Sequence, residues 1–175
     1  MLKNHYVREE KIMADKTKTE QKTNAIRILD KAKIQYQFHS YAGTDAISGI
    51  EVAAVLGQNP DKVFKTLVTV GKSKQYFVFI IPVNKELDLK KAAKSVDEKS
   101  IEMIKSKDLF ALTGYIHGGC SPIGMKKFFT TTIDSSAKDF ETIMFSAGKI
   151  GSQIELGISS LEKVIKFNLC NITVD

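Results

Sequence analysis

Apolar and polar positions alternate along the chain in a way that divides it into short helices and short strands. Ala25, Ile28, Leu29 and Ala32 recur at helical spacing behind Thr23, a predicted N-cap. Ile34, Tyr36 and Phe38 then alternate with glutamines, which predicts a half-buried strand, and Tyr41-Ala-Gly-Thr-Asp reads as a loop. Ser48 and Glu51 have capping-box spacing ahead of VAAVLG, a helix that Gly57 should end. Asn59-Pro60 opens another turn, with proline at the first helical position. Lys65–Val70 and Gln75–Val83 predict two strands joined by Gly71-Lys-Ser-Lys, apolar enough to be buried on both faces. Asp88 should cap LKKAAKSV, a short strand should follow near Ile101–Ile104, and Ser106 should cap KDLFALTG, ending at Gly114. Further strands are expected within Phe129–Asp134, Thr142–Ser146 and Gln153–Leu156, and Ser159 with Glu162 should box a last helix, LEKVIKF. Helices and strands intersperse without a regular βαβ alternation. The predicted fold class is therefore α+β, a mixed, mostly antiparallel curved sheet with surrounding helices, not a doubly wound parallel sheet.

Composition narrows this picture. The chain has 175 residues, which predicts one domain plus tails. Residues 1–22 carry six basic and four acidic residues and few large apolar ones, so residues 1–21 are expected to be a flexible N-terminal extension and 22–175 the folded domain. Met13 opens MADKTKTEQ, which has the look of a second start. No apolar run approaches the ~20 residues that span a bilayer, and the N-terminus lacks the apolar stretch of a secretory signal. No membrane partner is expected. Two cysteines, Cys120 and Cys170, exclude a disulfide scaffold and a four-cysteine zinc site, and fit a reducing cytoplasm. Of the 26 basic residues 24 are lysine, and the net charge is +6. Lysine is a hydrated point charge that touches phosphates without reading geometry, so the surface is compatible with nucleic-acid binding and equally with ordinary solvation.

Candidate chemistry is sparse. Gly118-Gly-Cys-Ser-Pro-Ile-Gly124 packs three glycines and a proline into seven positions, and Ser146-Ala-Gly-Lys-Ile-Gly151 follows a predicted strand. Open backbone N–H groups in two such loops could cradle a small polar group; two tight turns would look the same. Neither is a phosphate loop. Lys65 heads an apolar strand beside Thr66, so it either faces solvent or aims a charge into a cleft. His5, His39 and His117 share no metal-ligand spacing, and no metal or cofactor is expected. No serine sits in GxSxG. Cys120 lies among glycines, but no activating neighbour is evident, so it is not expected to be a nucleophile. Asp134 reads as a turn or cap residue.

Seven segments, taken together and in order, resemble the YbaK/EbsC family of freestanding aminoacyl-tRNA editing domains. They are Lys22-Thr-Asn-Ala-Ile-Arg, Val63-Phe-Lys-Thr-Leu, Ile81-Pro-Val, Leu87-Asp-Leu-Lys, Leu112-Thr-Gly-Tyr, Gly118-Gly-Cys-Ser-Pro-Ile-Gly-Met-Lys-Lys and Ser146-Ala-Gly-Lys. The likeness spans about residues 22–167 and is nearest to the Cys-tRNA(Pro) deacylases. It implies an open, barrel-like sheet and removal of a wrongly attached amino acid from the 3′ end of tRNA(Pro). It matches Lys65, Gly118 and Gly119 to catalytic positions. It matches Tyr41, Thr66, Ser121, Pro122, Ser146, Gly148 and Gln153 to substrate-binding ones. Two positions depart from the family's pattern: Gln153 stands where close relatives often carry aspartate, and Ser48 stands near an expected aromatic. Both bear on which amino acid is released.

An aminoacyl ester is already activated, so the resemblance implies little catalytic machinery. A cysteinyl substrate's own thiol would attack its carbonyl, with the Gly118-Gly119 amides as oxyanion donors and Lys65 on the terminal adenosine. The implied partners are a mischarged tRNA acceptor end, held through phosphates, and prolyl-tRNA synthetase; no DNA partner is implied. A deacylase for Ala- or Ser-tRNA, or a non-catalytic tRNA-binding module, are the alternative readings.

Overall fold

The computed structural model describes residues 21–175. The expected extension over residues 1–21, with His5 and Met13, lies outside the described residues apart from Gln21. The helices are α1 (Asn24–Lys31), α2 (Gly49–Val55), α3 (Leu89–Ser95), α4 (Leu109–Thr113) and α5 (Ile158–Leu161). The strands are β1 (Gln37–Ser40), β2 (Phe64–Gly71), β3 (Tyr76–Pro82), β4 (Ile101–Met103), β5 (Thr130–Asp134), β6 (Ile143–Ser146), β7 (Ser152–Leu156) and β8 (Asn168–Cys170).

The strands form two sheets. One runs β1-β7-β6 and is antiparallel throughout; the other runs β4-β2-β3-β5-β8. In the larger sheet β2 is antiparallel to both β3 and β4, whereas β3–β5 and β5–β8 are parallel. A parallel bridge between Val63 and Met144 joins the sheets. This is the expected α+β class, mixed and mostly antiparallel.

β3 is buried on both faces. Val78 and Ile80 enter the main core with Leu29, Ile123, Phe145 and Ile154. Phe77, Phe79 and Ile81 pack beneath Ala92 and Ala93 of α3. Each fully buried side chain of this size contributes roughly 1.5–3 kcal/mol.

The caps show how far local signals reach. Thr23 accepts from the Ile26 N–H, Ser48 and Glu51 form the full capping box, and Asp88 accepts from Lys90 and Lys91. Two expected caps are wrong. Ser106 lies inside a 3-10 turn, Ser106–Asp108, that leads into α4. Ser159 lies inside α5, whose N-cap is Gly157, and α5 ends after one turn instead of running through LEKVIKF. The strand expected at Ile34–Phe38 is displaced to Gln37–Ser40. Lys33 adopts φ 56° and the Ile34 N–H returns to the Leu29 carbonyl, so the end of α1 holds this stretch out of the sheet. Ile34 and Tyr36 still pack against the core.

Candidate active site

The site begins with a gap along β2. One end of the β2 edge meets β6 at the Val63–Met144 bridge. The other pairs with β4 over residues 69–71, extended by the Ile104 N–H to Val68 carbonyl bond of 3.2 Å. Backbone groups alternate sides along a strand. The Val68 carbonyl faces the β4 side, so the N–H and C=O of Thr66 face that side too, where β4 does not reach. A cavity of about 560 Å³ fills the gap.

Lys65 and Thr66 form one wall of this cavity, and the start of α2 with Ser48 forms another. Gly49 lets α2 approach so closely, since a Cβ there would run into the Val83 side chain. The remaining walls come from Met103 to Leu109, from His117 and Gly118, and from Ser146 and Gln153 of the smaller sheet. Ser146 and Gln153 are directly opposed in the β6–β7 register, so their side chains share a face.

Lys65 is half-buried, and its ammonium forms no ion pair among the described residues. Burial lowers its pKa below the ordinary 10.5, with the Glu86 carboxylate opposing the shift. Two polar atoms in the lining, Thr66 Oγ1 and Gln153 Oε1, are buried without a hydrogen-bond partner among the described residues. Such an atom costs about 1–3 kcal/mol when left unpaired, so a partner supplied by a ligand would be favoured here. Cys120 also lines the cavity, but burial pushes its thiol up to about 12. It is therefore protonated at neutral pH and poorly nucleophilic.

The fold brings together Tyr41, Lys65, Thr66, Gly118, Ser146 and Gln153 from the predicted set. Gly119, Ser121, Pro122 and Gly148 lie outside the lining. Ser121 is fully buried, and its hydroxyl accepts from the Ile123 N–H at 3.3 Å. Gly148, at φ 104°, donates its N–H to Ser146 Oγ at 3.1 Å and so fixes that serine. The expectation that Gly118 and Gly119 both offer free amides needs correction. The Gly119 N–H donates to the Ile116 carbonyl at 3.0 Å. A Cβ on Gly119 would lie 3.0 Å from Ile150 N and 3.1 Å from Lys149. Gly119 is thus where the two glycine loops meet, and it acts by having no side chain. The Gly118 N–H has no backbone partner among the described residues.

Sequence reasoning passed over Ile47, Ile50, Met103 and His117 as site residues. Only the exposed apolar character of Ile47, Ile50 and Met103 distinguishes them, and exposure is not visible in a sequence. Among the described residues no helix is long and apolar enough to cross a membrane, and no cluster of three or more potential metal ligands occurs.

Residues 45–164 match the family model described as the aminoacyl-tRNA editing domain. The chain belongs to the aminoacyl-tRNA editing domain family. A relative in Enterococcus faecalis, EbsC, is by its name a candidate Cys-tRNA(Pro)/Cys-tRNA(Cys) deacylase. It is 46% identical over 159 residues, covering 90% of this chain and 97% of EbsC. A Bacillus subtilis protein, YwhH, is 24% identical over 125 residues, covering 71% of this chain and 77% of YwhH. The fold is shared with the crystal structure of a candidate trans-editing enzyme for prolyl-tRNA synthetase. The TM-score is 0.78 at 18% identity, covering 89% of this chain and 100% of that one. In this editing domain the cavity lies within the matched residues except for Tyr41.

Proposed function

We propose that this editing domain is a trans-acting deacylase that removes cysteine from mischarged Cys-tRNA(Pro) in the cytoplasm. The observation that carries the reading is Lys65, partly desolvated and without an ion pair among the described residues, beside the backbone edge of Thr66 that β4 does not reach, in a cavity of about 560 Å³. That volume suits a ligand the size of an aminoacyl nucleoside. The 46% identity to EbsC supports the same substrate class.

In the proposed mechanism the protein supplies placement. The Lys65 ammonium holds the ribose or phosphate of the terminal adenosine. The Thr66 edge and the unpaired Gln153 Oε1 orient the aminoacyl group. The substrate's thiol loses its proton and its sulfur attacks the ester carbonyl. The Gly118 N–H stabilises the resulting oxyanion. The carbonyl–oxygen bond to the ribose then breaks, and the ribose oxygen takes up a proton. A cyclic thiolactone leaves, and water opens it to free cysteine. The high pKa of Cys120 favours attack by the substrate's thiol over attack by a protein thiol. Prolyl-tRNA synthetase is the proposed partner that confines the reaction to tRNA(Pro). The likeness to a candidate trans-editing enzyme for that synthetase supports this choice.

Cysteinyl, seryl and alanyl esters of one tRNA(Pro) provide the test. The cysteinyl ester should be cleaved fastest, because a thiolate forms far more readily than an alkoxide at neutral pH. Alkylating the substrate thiol should stop the reaction although the ester remains. A faster alanyl ester would overturn the mechanism and favour the Ala-tRNA alternative.

A further inference from the structure

We infer that α4 and the Lys126–Lys127 turn form a platform beside the cavity mouth for the single-stranded 3′ end of an RNA, with Phe110 stacking on a base. The inference rests on the deacylase reading for its substrate but uses residues outside the site described above.

The wall made by α4 and the following loop has two sides. Leu109, His117 and Gly118 line the cavity. Their sequence neighbours Phe110 and Ile116 are 57% and 52% exposed. Phe110 therefore presents an exposed ring one residue from the cavity lining. The geometry around Phe110 is built. The Lys126 N–H donates to the Thr113 carbonyl at 3.0 Å, tying the turn to the C-terminal end of α4. The Lys126 stem then crosses Gly114, where a Cβ would sit 3.3 Å from Lys126 Cγ. Its ammonium lies 4.9 Å from the centre of the Phe110 ring. Gly114 takes φ 82°, which suits glycine, and its bare backbone leaves the path for the lysine stem.

Charge selects the partner. Residues 105–127 contain four lysines, at 105, 107, 126 and 127, against the single carboxylate of Asp108. All four lysines are exposed. A protein partner would meet one aromatic ring with the Lys126 ammonium over it, in a segment whose other lysines are also exposed. A single-stranded nucleic acid offers bases for the ring and phosphates for the lysines, the combination that such strands bind. The acceptor end of tRNA is single-stranded where it must reach the cavity, and a strand lying across Phe110 would deliver its terminal nucleotide to the His117–Gly118 side. Phe128, although 71% exposed, lies at a separate groove with Glu162 and Lys166, and is not part of the platform.

Binding of the full chain to an uncharged single-stranded RNA ending in CCA tests this without any ester chemistry. Phe110→Ala should weaken binding about fivefold to a hundredfold, the range for loss of one stacked base. Phe110→Trp should restore it. Lys126→Gln should reduce the log–log salt slope by about 0.7, one phosphate's share on a single strand. A blunt duplex of the same length should bind more weakly than the single strand. Equal RNA affinity for wild type and a folded Phe110→Ala variant would overturn the platform, as it would if the patch served a protein partner. Absence of RNA binding by the wild type would overturn it too. Deacylation of Cys-tRNA(Pro), measured separately, decides the deacylase reading, so the two can fail independently.

Discussion

Lys65→Met should make the protein more stable and abolish its deacylase activity. Methionine nearly preserves the volume of the lysine stem, so packing against the β2 wall is kept while the charge is removed. The ammonium it replaces is half-buried and forms no ion pair among the described residues, and burial has lowered its pKa. Functional positions that hold such a group cost stability, and relieving them commonly returns about 0.5–2 kcal/mol. Solvent screens the exposed part of Lys65, so the lower part of the range applies, about 0.5–1 kcal/mol. For a domain of this size that is a rise in Tm of about 1–4 °C. The pH dependence carries the sign. The folded pKa lies below the unfolded 10.5. Between those two values the unfolded chain holds more protons, so wild-type stability rises with pH across that window. Below it the desolvation penalty is present in full. The advantage of Lys65→Met should therefore be constant near neutral pH and shrink as pH climbs towards 10.5. Thermal melts of both proteins from about pH 7 to 10, beside a Cys-tRNA(Pro) deacylation assay, measure each part. A variant destabilised by more than about 1 kcal/mol, or an advantage that grows with pH, would refute the reasoning, because the ammonium would then be making a stabilising contact.

Cys120, with its thiol at about 12 and buried, should be alkylated far more slowly than the partly exposed Cys170 at mildly alkaline pH, as read by mass spectrometry of the native protein. Equal labelling rates would contradict the burial argument. Gly119→Ala should cost about 1–3 kcal/mol by overpacking, because its Cβ meets the backbone of Lys149 and Ile150 and not a side chain that can swing away. The drop in Tm should come with loss of activity, since the two glycine loops would separate; a variant with wild-type Tm would show that the loops yield freely.

Much of the fold was legible in the sequence because much of it is local. Thr23, Ser48 with Glu51, Asn59-Pro60 and Asp88 cap their own segments through atoms two or three residues away, so the order of residues contains the whole interaction. The apolar run in β3 likewise announces a strand buried on both faces. Ser106 and Ser159 carry the same local signal and fail. The backbone that would present their hydroxyls is set by how α4 and α5 dock, and docking is not a property of a few neighbours. The site divides the same way. Lys65, the glycine loops and the family resemblance mark out the residues in order along the chain. That the Ser146–Gln153 hairpin is brought against Lys65 and Thr66, that Gly119 meets Lys149 and Ile150, and that β2 keeps a free edge between β6 and β4 depend on segments far apart in sequence. Those pairings are decided when the two sheets close on a shared core, since burial of Ile80, Phe145 and Ile154 together selects a register that none of their segments could specify alone.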